Sequence, residues 1–329
     1  MVGSIISTAL EGARLNALLV ATIELHLCDH LAAGPATVSE LARRARISGR
    51  GCQAVADGMV ALKLWRVSEG VYSNTAAAEA ALVRGAPGYV GDEHPALFRS
   101  WLARFGRISE LVRTGEPAYP IDSPETLEFW SLLTPVLARR GRSVPRQAIS
   151  LLGLSSGAPR LIDIGGGAGG LFSLALLESN PDAHATQVDW PHINQAARAR
   201  LRDAGFEDRF HTLDGDFHTV DLGSDQHDVA VLSHIVHQES PGSALEILRR
   251  TARALRVGGH VVLVDWIVDD GRTGPSSALV FNLTMLLLSD AGKSYERREL
   301  ADLLAQGGFD EPSFVPTDDM SVMAVATRH

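Results

Sequence analysis

The chain has 329 residues, 45% hydrophobic and 21% charged, with a formal net charge of -9; that length excludes a lone small module, and the composition supports a large core rather than disorder. The longest apolar runs, such as Val261 to Val264 before Asp265, fall far short of the roughly 20 residues that span a bilayer, and two cysteines, Cys28 and Cys52, are too few for a disulfide framework or a cysteine metal cluster. The charge is uneven, with 16 basic against 14 acidic residues in 1–150 and 14 against 25 in 151–329, and an acidic second half repels polyanions and suits a neutral or cationic small ligand. With no basic n-region at the start, the expected location is cytoplasmic, and neither nucleic acid nor membrane is an expected partner.

In chain order, helical apolar spacing runs from Ile5 to Leu31 and stops at Gly34-Pro35. Thr37-Val38-Ser39-Glu40 carries the cap residues of a helix completed by Leu41 to Ile47, and Ser48-Gly49 turns the chain into a second helix through Leu64. Leu64 to Val67 and Val71 to Ser73 around Ser68-Glu69-Gly70 read as a hairpin, so residues 1–90 form a helical winged-helix domain. Its presumed recognition helix offers Gln53, Asp57 and Lys63, with Arg50 ahead of it. That is poor phosphate neutralisation, and dimerisation is the expected role. The Ile5 to Leu31 block is too apolar for one small domain to cover, which points to a homodimer.

Residues 91–157 read as connecting helices with the aromatic stretches Phe98 to Phe105 and Phe129-Trp130. From residue 158 to 329 short apolar strands alternate with helices: Arg160 to Ile164, Ala185 to Asp189, Phe210 to Leu213, Val229 to Ser233 and Val261 to Trp266. That alternation predicts an α/β domain with a Rossmann-like parallel sheet. After a helix from Arg297 to Ala305 and Gly307-Gly308-Phe309, Ser313 to Val315 and Ser321 to Ala326 are joined so briefly, through Thr317-Asp318-Asp319, that they must run antiparallel. The sheet therefore ends with one reversed strand.

Leu161-Ile162-Asp163-Ile164-Gly165-Gly166-Gly167-Ala168-Gly169-Gly170 is a strand entering a glycine loop ahead of a helix, the usual cradle for a nucleotide-like ligand. Alone it fits either a dinucleotide pattern through Gly165, Gly167 and Gly170 or the pattern of Gly165, Gly167 and Gly169. Asp163 is costly to bury without partners and can steady the loop around the amino-acid end of a zwitterion. Asp189, at the end of the next strand, can accept two ribose hydroxyls. In Gly215-Asp216-Phe217, Asp216 can accept an adenine amino hydrogen while Phe217 or Trp190 lies against the ring. Three acids at three successive strand ends are more specific than any one.

On these residues the sequence resembles the S-adenosylmethionine-dependent small-molecule O-methyltransferases of the caffeic acid and acetylserotonin type, in their bacterial branch, over essentially the whole chain. The resemblance implies S-adenosylmethionine as cofactor and S-adenosylhomocysteine as product, with Ser233 and His234 also near the cofactor. It implies a catalytic histidine at His237, in Ile235-Val236-His237-Gln238-Glu239, assisted by Asp265. Gln238 and Glu239 depart from the family's Asp-Trp pair, and Ser294 stands where plant members carry a second glutamate. An imidazole near its pKa can take the proton of a hydroxyl acceptor, so one carboxylate-held histidine suffices.

The acceptor pocket is expected from Phe129, Trp130, Asn282 and Met285, the last two on a helix from Val280 to Ser289, although aromatics at such spacing also serve a core. Arg139, Arg140, Arg142 and Arg146 can meet an acidic acceptor or form an exposed basic face. No metal is assigned, although His234, His237 and Asp265 also match a two-histidine, one-carboxylate pattern. Carbon methylation, a non-methylating member of the family, a ligand-sensing regulator and a dehydrogenase remain the competing readings.

Overall fold

The computed structural model describes residues 2–119, 123–138, 142–318 and 320–329. They form two compact units, Met1–Ala103 and Arg104–His329. No helix among the described residues is long and apolar enough to cross a membrane.

The first unit opens with α1 (Val2–Glu24) and α2 (Leu27–Ala32). The apolar block from Ile5 is thus two helices, broken where His26 takes a left-handed φ of 52°, a conformation that cannot continue a right-handed helix. β1 (Ala36–Thr37) leads into α3 (Val38–Ala45), which starts with a full capping box. The Thr37 hydroxyl accepts the Glu40 amide, and the Thr37 amide donates to the Glu40 carboxylate at 2.8 Å, satisfying two donors that a helix start leaves orphaned.

Ser48 caps α4 (Gly49–Ala61), and β2 (Trp65–Ser68) and β3 (Val71–Asn74) form the expected hairpin. β1 pairs with β3, giving a small sheet of order β1-β3-β2 beside the helices, so the unit is not purely helical. α5 (Ala76–Leu82) follows, and α6 (His94–Phe105) runs across the boundary between the units. Leu27, Leu41, Met59 and Trp65 fill the core. Cys28 is buried there beneath the Trp65 indole N–H, and burial pushes its thiol up to about 11, so it is inert at neutral pH.

The second unit begins with α7 (Ile108–Thr114), α8 (Pro124–Ala138) and α9 (Ser143–Leu151). Strands and helices then alternate: β4 (Arg160–Ile164), α10 (Leu171–Ser179), β5 (His184–Asp189), α11 (Pro191–Asp203), β6 (Phe210–Asp214), β7 (His227–Ser233), α12 (Pro241–Ala254) and β8 (Leu255–Asp265). α13 (Ser276–Leu288), α14 (Arg297–Gly307), β9 (Ser313–Pro316) and β10 (Val322–Thr327) complete it. The sheet order is β6-β5-β4-β7-β8-β10-β9. β4 to β8 are mutually parallel, and β10 runs antiparallel to both its neighbours, the single reversal expected from the brief β9–β10 link.

β8 begins well before the expected Val261 and leaves Trp266 outside. Its first turn of sequence, Leu255 to Gly259, is too polar and glycine-rich to show as an apolar run. Alternate residues of β4 point to opposite faces. Ile162 and Ile164 join Leu263, Leu304 and Phe309 on one side, and Leu161 joins Leu176 and Val231 on the other. The chain reverses its direction of strand addition at β4, between β5 and β7, so the carboxyl ends of β4, β5 and β7 open on one crevice.

Phe309 is 1% exposed, follows α14, and anchors that helix to the sheet through the shared core. Phe309→Ala should lower unfolding free energy by about 3–5 kcal/mol in urea titrations, the range for a buried phenylalanine cavity; a change below about 1 kcal/mol would show that the site collapses without loss.

Candidate active site

The glycine loop is held from below by side chains of the sheet. The Gly167 amide donates to Asp189 Oδ2 at 2.9 Å, and the Trp190 amide to Asp189 Oδ1 at 2.8 Å. The buried Gln187 carboxamide donates to the Gly167 carbonyl and to Asn194 Oδ1, each at 3.0 Å. Asn194 in turn donates to the Asp189 and Leu213 carbonyls and to Asp214. The loop is therefore preorganised by Gln187 and Asn194, two residues the sequence reading passed over. Gly165 has φ 71°, and a Cβ there would lie 2.3 Å from Ile235 Cδ1, so only glycine lets the loop close on the segment after β7.

Asp163 lies beneath this loop, 1% exposed, with neither carboxylate oxygen in hydrogen-bond geometry with a donor. Burial, then the charge of Asp189, raises its pKa from 3.8 to about 7 against the opposing influence of Ser173. Burial likewise raises Asp189, with the Gly167 and Trp190 amides opposing. Burial thus favours the neutral form of both acids, and a cation placed in the crevice would favour their charged form. Asp216 follows β6, and Phe217 packs against the core beside Gly165. Trp190 is half exposed at the start of α11, and Ser233 ends β7.

Past β7, His234 takes a left-handed φ of 60° and its amide donates to the Val264 carbonyl. The short 3₁₀ turn Val236–Gln238 then sets His237 over the end of β8. His237 Nδ1 lies 2.6 Å from Asp265 Oδ1, and the His237 amide donates to Asp265 Oδ2 at 3.0 Å. The Trp266 amide donates to Oδ1 at 2.8 Å. Burial alone would raise Asp265; the charge and hydrogen bond of His237, with His234 and the Trp266 amide, outweigh it and hold the carboxyl below its ordinary value. An ionised Asp265 fixes the neutral imidazole with its proton on Nδ1 and its lone pair on Nε2. Nε2 has no hydrogen-bond partner among the described residues, which leaves it available as a base.

The segment is braced from the loop after α13. The Lys293 amide donates to the His237 carbonyl at 2.7 Å, and the Ser289 hydroxyl to the Gln238 carbonyl at 2.9 Å. A Cβ at Gly292 would lie 2.6 Å from the His237 carbonyl oxygen, so this approach requires glycine. Ser294 donates its hydroxyl to Ala278 and its amide to Asn282 Oδ1. It is buried and satisfied there, and Asn282 is committed to it. Gln238 folds back to donate to the His234 carbonyl.

The imidazole sits among aromatic rings. Phe281 meets His237 edge-on at 5.0 Å, Trp266 lies 5.6 Å from it, and Trp266 stacks on Phe281 at 3.7 Å. Phe281 is the α13 ring beside His237, whereas Met285 is buried one turn on. Phe129 is fully buried, edge-on to Trp130 and beneath the Arg104 guanidinium. Arg142 and Arg146 both pair with Glu178 of α10; Arg139 and Arg140 lie outside the described residues. His234, His237 and Asp265 offer ligand atoms within 4.8 Å of one another, but the Asp265 oxygens are already engaged by the three N–H groups above.

Residues 123–310 match the O-methyltransferase domain family, and residues 8–84 the O-methyltransferase dimerisation domain. The chain belongs to the S-adenosylmethionine-dependent small-molecule O-methyltransferases. It is 33% identical to 3-hydroxy-5-methyl-1-naphthoate 3-O-methyltransferase of Streptomyces sahachiroi over 89% of this chain and 85% of that one. It is 30% identical to the tetracenomycin polyketide synthesis 8-O-methyl transferase of Streptomyces glaucescens, over 94% and 92%. Human N-acetylserotonin methyltransferase, solved with S-adenosylmethionine, has the same fold, with a TM-score of 0.81, 23% identity and coverage of 100% and 98%.

The residues at hand fit the cofactor of such a methyltransferase. A buried Asp163 without a hydrogen-bond donor, beneath a preorganised glycine loop, would be stabilised in its charged form by a sulfonium or an ammonium, and Asp189 keeps lone pairs for hydroxyls. Without a cation, the same acid costs stability. A carboxyl whose folded pKa is raised contributes stability fully present below 3.8 and lost as pH rises through about 7. Ligand-free Asp163→Asn should therefore exceed the wild type by about 1–4 kcal/mol at pH 8 in denaturant titrations and bind S-adenosylhomocysteine more weakly. Equal stability of the two proteins at that pH would contradict the strained carboxylate.

Proposed function

We propose that the enzyme methylates a hydroxyl of a small aromatic, polyketide-type acceptor, with His237 as the general base. The observation that carries this reading is the Asp265-locked imidazole, whose Nε2 has no partner among the described residues and whose ring sits between Phe281 and Trp266. The naphthoate and tetracenomycin acceptors named for the relatives support the substrate class.

When bound, S-adenosylmethionine supplies a methyl carbon on a positively charged sulfur. Asp163 and the loop Gly165, Gly167 and Gly169 would hold its amino-acid end, with Ser233 and His234 nearby. Asp189 would take the ribose hydroxyls, Asp216 the adenine amino group, and Trp190 and Phe217 the faces of the base. Trp266 and Phe281 are the acceptor wall the geometry favours, with Asn282 and Met285 on the helix that carries Phe281, while Phe129 packs against Trp130 and Arg104. Nε2 would take the hydroxyl proton as the oxygen displaces S-adenosylhomocysteine from the methyl carbon, and Asp265 would balance the resulting imidazolium. Such general-base help is typically worth about two to four powers of ten.

His237→Ala should leave S-adenosylmethionine affinity within a few-fold by calorimetry while turnover of a hydroxynaphthoate falls about a hundredfold or more. Asp265→Asn should cost less, because it only orients and balances the base. Full activity in His237→Ala would remove the base, and loss of wild-type turnover to a chelator would put a metal-assisted reaction ahead.

The enzyme works as a homodimer through its first unit in this reading, because α1 leaves Ile5, Ile6 and Leu10 more than half exposed and such faces mark protein contacts. Ile6→Asp with Leu10→Asp should shift the full chain from dimer to monomer in light scattering at micromolar concentration; an unchanged dimer would place the interface elsewhere.

A further inference from the structure

His218 follows the Gly215-Asp216-Phe217 turn, and both of its ring nitrogens face carboxylates. Nδ1 lies 2.6 Å from Asp216 Oδ1, and Nε2 lies 3.2 Å from Glu239 Oε2. Asp216 Oδ1 also accepts the His218 amide at 2.9 Å, so both of these bonds converge on one oxygen and Oδ2 is left for another donor. Glu239 is held in turn, since the Ser243 hydroxyl donates to its Oε2 and the Tyr295 hydroxyl donates to its carbonyl at 2.7 Å. The Phe217 and His218 rings are 4.5 Å apart.

An ionised carboxylate only accepts, so two of them around one ring need two N–H donors, and only the imidazolium has two. We propose that His218, as the imidazolium, is a positioning residue for the cofactor, pinning Asp216 to Glu239 and so tying the turn after β6 to the segment that carries His237. The inference rests on the reading of Asp216 and Phe217 as the adenine-side residues. It also gives the departure at Glu239 a use: its carboxylate braces Asp216 through the His218 ring.

Partial burial works against the charge on His218, but hydrogen bonds and charge from Asp216 and Glu239 outweigh it and raise the pKa above the ordinary value. Arg250 of α12 is the further charge acting on Asp216, and its guanidinium donates to the Val220 carbonyl. Because the folded pKa is raised, the clamp is complete at low pH and is lost as pH rises through that pKa. A neutral ring can serve only one of the two acids, so Asp216 is then no longer tied to Glu239.

The test is calorimetric binding of S-adenosylhomocysteine to the full chain at about pH 6 and about pH 8.5, on either side of a histidine titration. Other groups, Asp163 among them, titrate in this window, so the His218 contribution is the difference in pH dependence between wild type and His218→Gln. Wild type should weaken by about 3- to 10-fold more than His218→Gln over that range, and His218→Gln should already be weak at the lower pH. Glu239→Gln should keep its affinity at the higher pH, because a neutral ring can donate to Asp216 and accept from the new amide. Asp216→Ala should bind weakly at both.

Full affinity in Asp216→Ala would overturn the adenine-side reading itself. A weak Asp216→Ala beside a His218→Gln that tracks wild type at both pH values would overturn the clamp alone. A measurement on the unmodified protein stands beside these: by linkage, the His218 ring followed by NMR should titrate at higher pH with S-adenosylhomocysteine bound than without it. An unchanged titration would also overturn the clamp.

Discussion

Asp265 is the constraint around which the site is built. A carboxylate taken out of water must be paid in hydrogen bonds, and its three donors are the His237 ring, the His237 amide and the Trp266 amide. Two of the three belong to one residue, so satisfying the acid fixes the backbone and the ring of His237 together. The remaining contacts defend that placement: Gly165 closing on Ile235, and Lys293 and Ser289 gripping the carbonyls of His237 and Gln238. Removing a partner from such a pair leaves a buried group unsatisfied, which is why the arrangement is rigid before any ligand arrives.

The cofactor side obeys the opposite rule. Asp163 is buried without good partners, and its raised pKa records the cost. Local strain of this kind persists because the surrounding sheet over-determines the loop through Gln187, Asn194 and Asp189. A cation entering the crevice would relieve it. The second unit therefore combines a fully satisfied acid, Asp265, that orients the His237 ring with a buried acid, Asp163, that has no hydrogen-bond donor.

Much of the second unit was legible in the sequence because each marker acid sits at the end of an apolar run: Asp163, Asp189 and Asp265 close β4, β5 and β8 or stand one residue short of it. Local patterns of this sort survive folding, as does the Thr37-x-x-Glu40 cap. What the sequence concealed depended on contacts between distant elements. Gln187 and Asn194 look like ordinary polar residues of a strand and a helix until the sheet order sets them under the same loop. Phe281 is one of several apolar residues in α13, and only the crossing of that helix over the end of β8 selects it over Met285 as the neighbour of His237. The break at His26 was invisible because the apolar spacing continues across it, and the extension of β8 to Leu255 was hidden by its glycines. Glu239 read only as a departure from a family pattern; its partner His218 lies 21 residues earlier, across a strand.

In the proposed reaction, Asp265 holds His237 with its lone pair on Nε2 to receive the proton of the acceptor. Single-turnover methyl transfer to hydroxyaromatic acceptors of one skeleton but graded hydroxyl pKa tests it most directly, comparing wild type with His237→Ala. The penalty of His237→Ala should shrink steadily as the acceptor becomes more acidic, because an acceptor that ionises by itself needs no base. A penalty of the same size across the series would contradict it, and would leave His237 a role in placing the acceptor rather than in moving its proton.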